Sequence, residues 1–199
     1  MKINQTGMLI VISGPSGVGK GTICAKLLED DSSLTFSTSV TTRKAREKEI
    51  DGVHYFFITE DEYDHLLDED AFIEHATVHG HRYGTLKKQV AEKTGEGKNV
   101  ILDIVPQGAI AVMEKCPECV SIFILPPDYA TLRKRLHTRN TDDEAEITKR
   151  VNNAKGEIEK MHLYNYAVVN DDFDTAYSQV KSIIEAEKQR TTRFKPEIE

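Results

Sequence analysis

The chain reads as an α/β protein with a mostly parallel central sheet between layers of helix, and three observations predict this. Strand-like apolar runs recur as MLIVIS (8–13), YFFI (55–58), NVILDIV (99–105), VSIFIL (120–125) and YAVVN (166–170). Most are apolar on both faces, as central strands covered by helices on each side must be. Helical patterns separate the runs, which is the alternation of an α/β fold. The third observation is local: the first run breaks into Gly14, Gly17 and Gly19 before an apolar helical pattern resumes.

Several helices announce their ends. Thr59 and Glu62 in TEDEYDHLL fit a capping box, a hydroxyl and a carboxylate satisfying orphan amides reciprocally. Asp128, after two prolines, is placed as an N-cap. The last helix, from about Asp172, sets Phe173, Tyr177, Val180 and Ile184 on one face, with Lys188 and Arg190 near its end. It is expected to pack on the sheet, and the tail TTRFKPEIE beyond it to be mobile. Two segments fit the core poorly: the polar and histidine-rich 37–88, and 133–155, dense in arginine and acid.

Composition narrows the function. At 199 residues the chain suits one domain with inserted subdomains. Its net charge of −7 argues against a general nucleic-acid binder, so an anionic ligand must be held by local cations. No apolar run approaches the roughly 18 residues of a membrane span, and MKINQTG is too short in basic and apolar character for a signal peptide. A cytoplasmic protein without membrane partners is expected. Cys24, Cys116 and Cys119 include one lone CPEC, read as a turn at Pro117 because no second pair completes a zinc site.

The glycine turn carries the chemistry. Gly14, Pro15, Ser16, Gly17, Val18, Gly19 and Lys20 meet the spacing G-x-x-x-x-G-K. Glycines let successive amides face an anion, the following helix adds its positive end, and lysine reaches the outer phosphates. The flanking strand and helix are the context that this mechanism requires, so a nucleoside triphosphate is the expected ligand. Gly21 stands where a hydroxyl residue is usual, and Thr22 follows it. A side chain at 21 therefore cannot ligate magnesium. Asp103, closing the run NVILDIV, is placed to orient water on a magnesium ion.

From Met8 to about Lys188 the chain resembles the guanylate kinase family. The matching stretches are GPSGVGKGT, FSTSVTTRKAREKEIDGVHY, FIEHATVHGHRYGT, ILDIVPQG, LPPDYATLRKRLHTRNTDDEAEITKR and VVNDD, in the family's order. The resemblance implies a P-loop NTPase fold and transfer of the γ-phosphate of ATP to GMP with Mg2+, giving ADP and GDP, with dGMP as a further acceptor. It implies GMP-binding roles for Ser39, Arg43, Arg46, Tyr55, Glu74, Tyr83 and Thr85. Arginine forks suit a monophosphate, and a carboxylate can accept from guanine N1–H and N2–H₂, donors that adenine lacks. It implies that Arg135, Arg139 and Arg150 close over the phosphates beside Lys20, and that Asn170 lies near the adenine of ATP. A turn role suits Asn170 equally.

The implied layout is a core of 8–37, 89–127 and 156–190, a GMP-binding subdomain at 38–88 and a lid at 128–155, in a monomer or homodimer. One departure bears on the acceptor: the family usually carries a second acidic residue two places after Asp103, where this chain has Val105. His75, His79 and His81 fall in the GMP-binding stretch and are read as solvated or substrate-adjacent rather than as metal ligands. Two other readings stay open here, a kinase for another phosphorylated acceptor such as a ribose bisphosphate, and a non-catalytic binding module on the same scaffold.

Overall fold

The computed structural model describes residues 2–47, 49–78, 80–138 and 143–197. Five strands form the central sheet: β2 (Leu9–Ser13), β3 (Leu34–Phe36), β8 (Asn99–Asp103), β9 (Val120–Leu125) and β10 (Tyr166–Val169), with the two-stranded pair of β1 (Lys2–Gln5) and β11 (Phe194–Glu197) apart from it. Their order is β10-β9-β2-β8-β3 and every pairing is parallel. The alternation of a strand decides which layer each side chain joins. Ile10, Ile12, Ile101, Ile122, Ile124 and Val168 pack on one face, under α1 (Lys20–Asp30), α5 (Tyr129–Thr138), α6 (Glu144–Ile158) and α7 (Phe173–Lys188). Val11, Val100, Leu102 and Phe123 pack on the other, under α3 (Lys87–Gly95) and α4 (Pro106–Lys115). Two apolar faces explain the continuous apolar runs.

The helix ends follow from their residues. Thr59 and Glu62 form the capping box of α2 (Glu60–Asp68), Glu62 N donating to Thr59 Oγ1 at 3.2 Å and Thr59 N to Glu62 Oε2 at 2.8 Å. Asp128 Oδ1 accepts from Thr131 N at 2.6 Å, and Asp172 Oδ1 from Thr175 N at 2.9 Å. On α7, Val180 and Ile184 are buried while Phe173 and Tyr177 pack at the margin of the same cluster. Burying each aliphatic side chain contributes about 1.5–3 kcal/mol, so a charge at Val180 would weaken the packing of the helix on the sheet.

A second sheet is built from β4 (Val40–Thr41), β5 (Phe56–Phe57), β6 (Phe72–Val78) and β7 (His81–Leu86), in the order β5-β4-β7-β6. Val40, Tyr63 and Phe72 form its small core beneath α2. The run YFFI therefore belongs here and not to the central sheet: its strand is two residues long and pairs in parallel with β4. The fifth central strand, β3, is a three-residue LTF with no apolar run to mark it. The tail also departs from the expectation of mobility, because β11 pairs antiparallel with β1, from Lys2 opposite Glu197 to Gln5 opposite Phe194. Such a two-stranded clasp is closed by backbone bonds, and an apolar pattern is not needed to form it.

All five central strands end on the same edge of the sheet. Gly14 follows β2, Ser37 follows β3, Asp103 ends β8 and Asn170 follows β10. The carboxyl ends of parallel strands are where open α/β sheets bind ligands.

Candidate active site

Backbone conformation explains the glycine loop. Gly14 has φ 139°, and a Cβ there would lie 2.2 Å from the Ile124 carbonyl oxygen. Gly19 has φ 96°, and a Cβ there would meet Asn170 Nδ2 at 2.5 Å. Neither position admits another residue without strain. Gly19 is also the N-cap of α1, and no side chain caps that end. The orphan amides of the first turn are therefore turned toward the loop, as an anion site requires. Lys20 Nζ donates to the carbonyl oxygens of Gly14 at 2.7 Å and Pro15 at 3.2 Å, which keeps the ammonium inside the loop.

Gly21 faces Asp103. A Cβ at 21 would sit at an ordinary 3.6 Å from Asp103 Oδ2, so no steric demand explains the glycine. Thr22, one place on, is exposed. Asn170 is buried and its amide donates to the Val18 carbonyl at 2.7 Å, while Asn170 N donates to Leu125 O at 2.8 Å. The turn after β10 is thus tied to the phosphate loop.

Beside the loop lies a cleft of about 260 Å³ lined by Ser39, Tyr55, Glu74, Tyr83, Asp103 and Val105. Glu74 is buried, and burial pushes its carboxyl above the usual range while the hydrogen bond from Thr85 Oγ1, 2.7 Å from Oε1, opposes that rise. Its other oxygen lies against Gly108 in the first turn of α4, where a Cβ would approach Oε2 to 2.7 Å. A contiguous cleft of about 290 Å³ adds Ser37, Thr38, Glu49 and His54. At its margin the Arg43 guanidinium lies 5.4 Å from the Tyr55 ring centroid and 5.7 Å from that of Phe57. It pairs with both oxygens of Glu49. Four of the seven residues read as GMP-binding, Ser39, Tyr55, Glu74 and Tyr83, thus line one cleft, with Thr85 behind Glu74 and Arg43 beside Tyr55; the Arg46 side chain is exposed, and its backbone amide donates to Glu49 Oε2 at 2.8 Å.

Two of the three predicted arginines are placed. Arg135 donates to the carbonyl oxygens of Asn170 at 2.8 Å and Asp171 at 3.3 Å. Arg150 reaches across to Ser16 Oγ in the loop at 3.3 Å. Arg139 lies outside the described residues, as does His79. Among the described residues no group of three or more His, Cys, Asp or Glu could hold a metal ion. The three cysteines are free, and Cys119 N donates to Cys116 O at 3.0 Å in the turn at Pro117. No helix among the described residues is long and apolar enough to cross a membrane.

Sequence reasoning gave no role to Glu49 and Gln107, although both fall in the matched stretches, nor to Glu157. Gln107 and Glu157 line a third cleft, about 370 Å³, with Ser16, Val105 and Arg150. Burial raises the Glu157 carboxyl and the Lys20 charge eases that rise. Nothing local marks Glu157 among the acids of its helix. Val105 borders both this cleft and that of Glu74, so the departure noted in the sequence stands between the two.

Loops of this kind hold nucleotide phosphates, and the neighbouring cleft, sharing Asp103 with the loop's edge, leaves room for an acceptor; the class is that of the P-loop phosphotransferases. A family model described as guanylate kinase matches residues 6–187. A guanylate kinase from Caldanaerobacter subterraneus subsp. tengcongensis is 50% identical over 195 residues, covering 98% of this chain and 95% of that protein. One from Clostridium acetobutylicum is 47% identical over 196 residues, covering 98% and 93%. The crystal structure of guanylate kinase from Anaplasma phagocytophilum matches with a TM-score of 0.79 at 34% identity, covering 97% of this chain and 92% of that one. The chain belongs to the guanylate kinase family, and it is an enzyme of the nucleoside monophosphate kinase type.

Proposed function

We propose that the chain transfers the γ-phosphate of ATP to GMP, and to dGMP, giving ADP and GDP for the recycling of guanine nucleotides. The observation that supports this is a pair of clefts that share Ser39, Tyr55 and Asp103, one lined by the buried Glu74 and the other bordered by Arg43 through its contacts with Glu49 and Tyr55. Glu74 accepts from guanine N1–H and N2–H₂, with Thr85 fixing one oxygen and Ser39 completing the edge. Adenine would present an acceptor to that carboxylate and leave it unpaired. Arg43, Arg46, Tyr55 and Tyr83 hold the acceptor's phosphate.

Gly14 to Thr22 hold the triphosphate, with Lys20 at its outer end. Arg135, Arg139 and Arg150 serve the charge that spreads over the transferring phosphoryl group, because cations already in place stabilise it without reorganisation. No general base is required: the GMP phosphate is already an ionised nucleophile. Mg2+ fits the donor set, since Asp103 is a hard oxygen ligand beside Gly21, and a small hard cation is held by one or two carboxylates together with substrate phosphates. Bound there, the ion would offset charge on the β- and γ-phosphates.

The reading divides the chain into a core at 8–37, 89–127 and 156–190, a GMP-binding subdomain at 38–88 and a lid at 128–155 whose closure excludes water. A coupled assay of ADP release tests it, offering GMP, dGMP, AMP, CMP, UMP and ribose 1,5-bisphosphate separately. GMP is expected to be fastest, dGMP slower and the rest near background, and Lys20→Ala is expected to abolish transfer. Undiminished GDP formation by that variant, or preference for ribose 1,5-bisphosphate, would overturn the assignment.

A further inference from the structure

Glu49 occupies the Nη1–Nη2 fork of Arg43, an edge that a phosphate would also fit. Arg43 Nη1 and Nη2 donate to its two oxygens at 2.9 and 2.8 Å, a bidentate pair of the form arginine makes with a phosphate. Arg46 N adds a third donor to Glu49 Oε2 at 2.8 Å. The second hydrogen of Nη1 goes to the Lys44 carbonyl at 2.8 Å, so that nitrogen has no donor left over. Both partners are largely shielded, with side-chain exposures of 13% for Arg43 and 16% for Glu49. The guanidinium lies beside the Tyr55 and Phe57 rings, which restricts where its fork can turn. Glu49 itself lines the cleft that holds Ser39, Tyr55 and Asp103.

We propose that the Glu49 carboxylate is an internal competitor for the phosphate of the acceptor, closing the Arg43 fork until the nucleotide displaces it. This rests on the GMP reading above and deepens it. A carboxylate offers two oxygens and one negative charge, whereas a nucleoside monophosphate offers three oxygens and up to two charges. The stronger anion takes the fork, with its apparent affinity reduced to the fraction of time the fork is open. A ligand without phosphate has no contest with Glu49 and is indifferent to it. Glu49 thus penalises weak anions and sets the affinity for monophosphates.

Calorimetric titration of the full chain without ATP tests this, comparing GMP, guanosine and inorganic phosphate on the natural protein and on Glu49→Gln. Glutamine retains a carbonyl for the Arg46 amide but cannot accept from both Arg43 nitrogens. GMP and inorganic phosphate are expected to bind about three- to tenfold more tightly to the variant, with guanosine unchanged, corresponding to a fork open roughly a tenth to a third of the time. GMP affinity that is unchanged or weaker in the variant overturns the proposal, since Glu49 would then orient Arg43 for phosphate instead of opposing it. Parallel gains for GMP and guanosine overturn it too, because the effect would not lie at the phosphate. Should Glu49→Gln melt early by circular dichroism, Glu49→Asp, one methylene short of the fork, is titrated instead with the same signs expected. Natural protein that binds ATP but neither GMP nor guanosine refutes the acceptor assignment itself, which is a separate result.

Discussion

Replacing Asn170 by alanine tests whether the turn after β10 holds the phosphate loop in shape. The Asn170 side chain is buried and donates to the Val18 carbonyl at 2.7 Å, so truncation leaves that carbonyl without this donor inside the protein. An unsatisfied buried polar group costs about 1–3 kcal/mol. In a domain of this size each kcal/mol lowers Tm by about 2–4 °C, so a loss of about 2–12 °C is expected by scanning calorimetry. The KM for ATP should rise with it, because the loop must then be ordered by the nucleotide. Asn170→Asp sharpens the test, since it exchanges the donor for an acceptor facing another acceptor; it should melt below Asn170→Ala. A Tm unchanged by alanine together with a raised KM for ATP would refute the clamp and return Asn170 to direct contact with the adenine. Equal melting of the alanine and aspartate variants would also refute it.

Glu74→Gln removes a charged acceptor from the base site, where hydrogen bonds to charged groups are worth about 1.5–3 kcal/mol each. With two such bonds at stake, kcat/KM for GMP should fall about 10²- to 10⁴-fold and the preference over AMP should shrink; a fall under about tenfold would place guanine elsewhere. The same variant should be more stable near neutral pH. Burial raises the Glu74 carboxyl, so its contribution to stability is present below the ordinary glutamate value and is lost as pH rises through the raised one. Chemical denaturation at pH 7 that finds Glu74→Gln less stable would contradict this. Glu49 has the opposite sign: the Arg43 guanidinium, then the Arg46 amide, holds it at about 2 against an ordinary 4.5. Its contribution is present above the ordinary value and is lost as pH falls toward about 2, so Glu49→Gln should flatten the acid limb of the stability profile. Parallel acid limbs for the two proteins would show that the pair adds nothing to the native state.

The sequence by itself determined the elements whose causes are local. Gly14 and Gly19 are legible because their backbone angles exclude other residues, and Thr59 with Glu62 because a capping box closes within four positions. The apolar runs of β2, β8 and β9 declare a sheet covered on both faces, since each strand must bury two sides whatever its partners. The family's motifs also named Glu74, Tyr55, Tyr83 and Ser39, which the fold brings to one cleft. Tertiary structure alone decided the rest. β3 is too short to show a period, and the clasp of β1 with β11 rests on backbone bonds that no side-chain pattern records. Asn170 meets Val18 across 152 positions of sequence, and Val105 stands between two clefts because α4 begins where β8 ends. Even Glu49, six residues from Arg43, could not be read as its partner, because the sequence alone does not show which way the intervening loop turns. Propensity, capping and glycine geometry act between neighbours and are written along the chain, whereas pairing across the sheet depends on distances that exist only once it has folded.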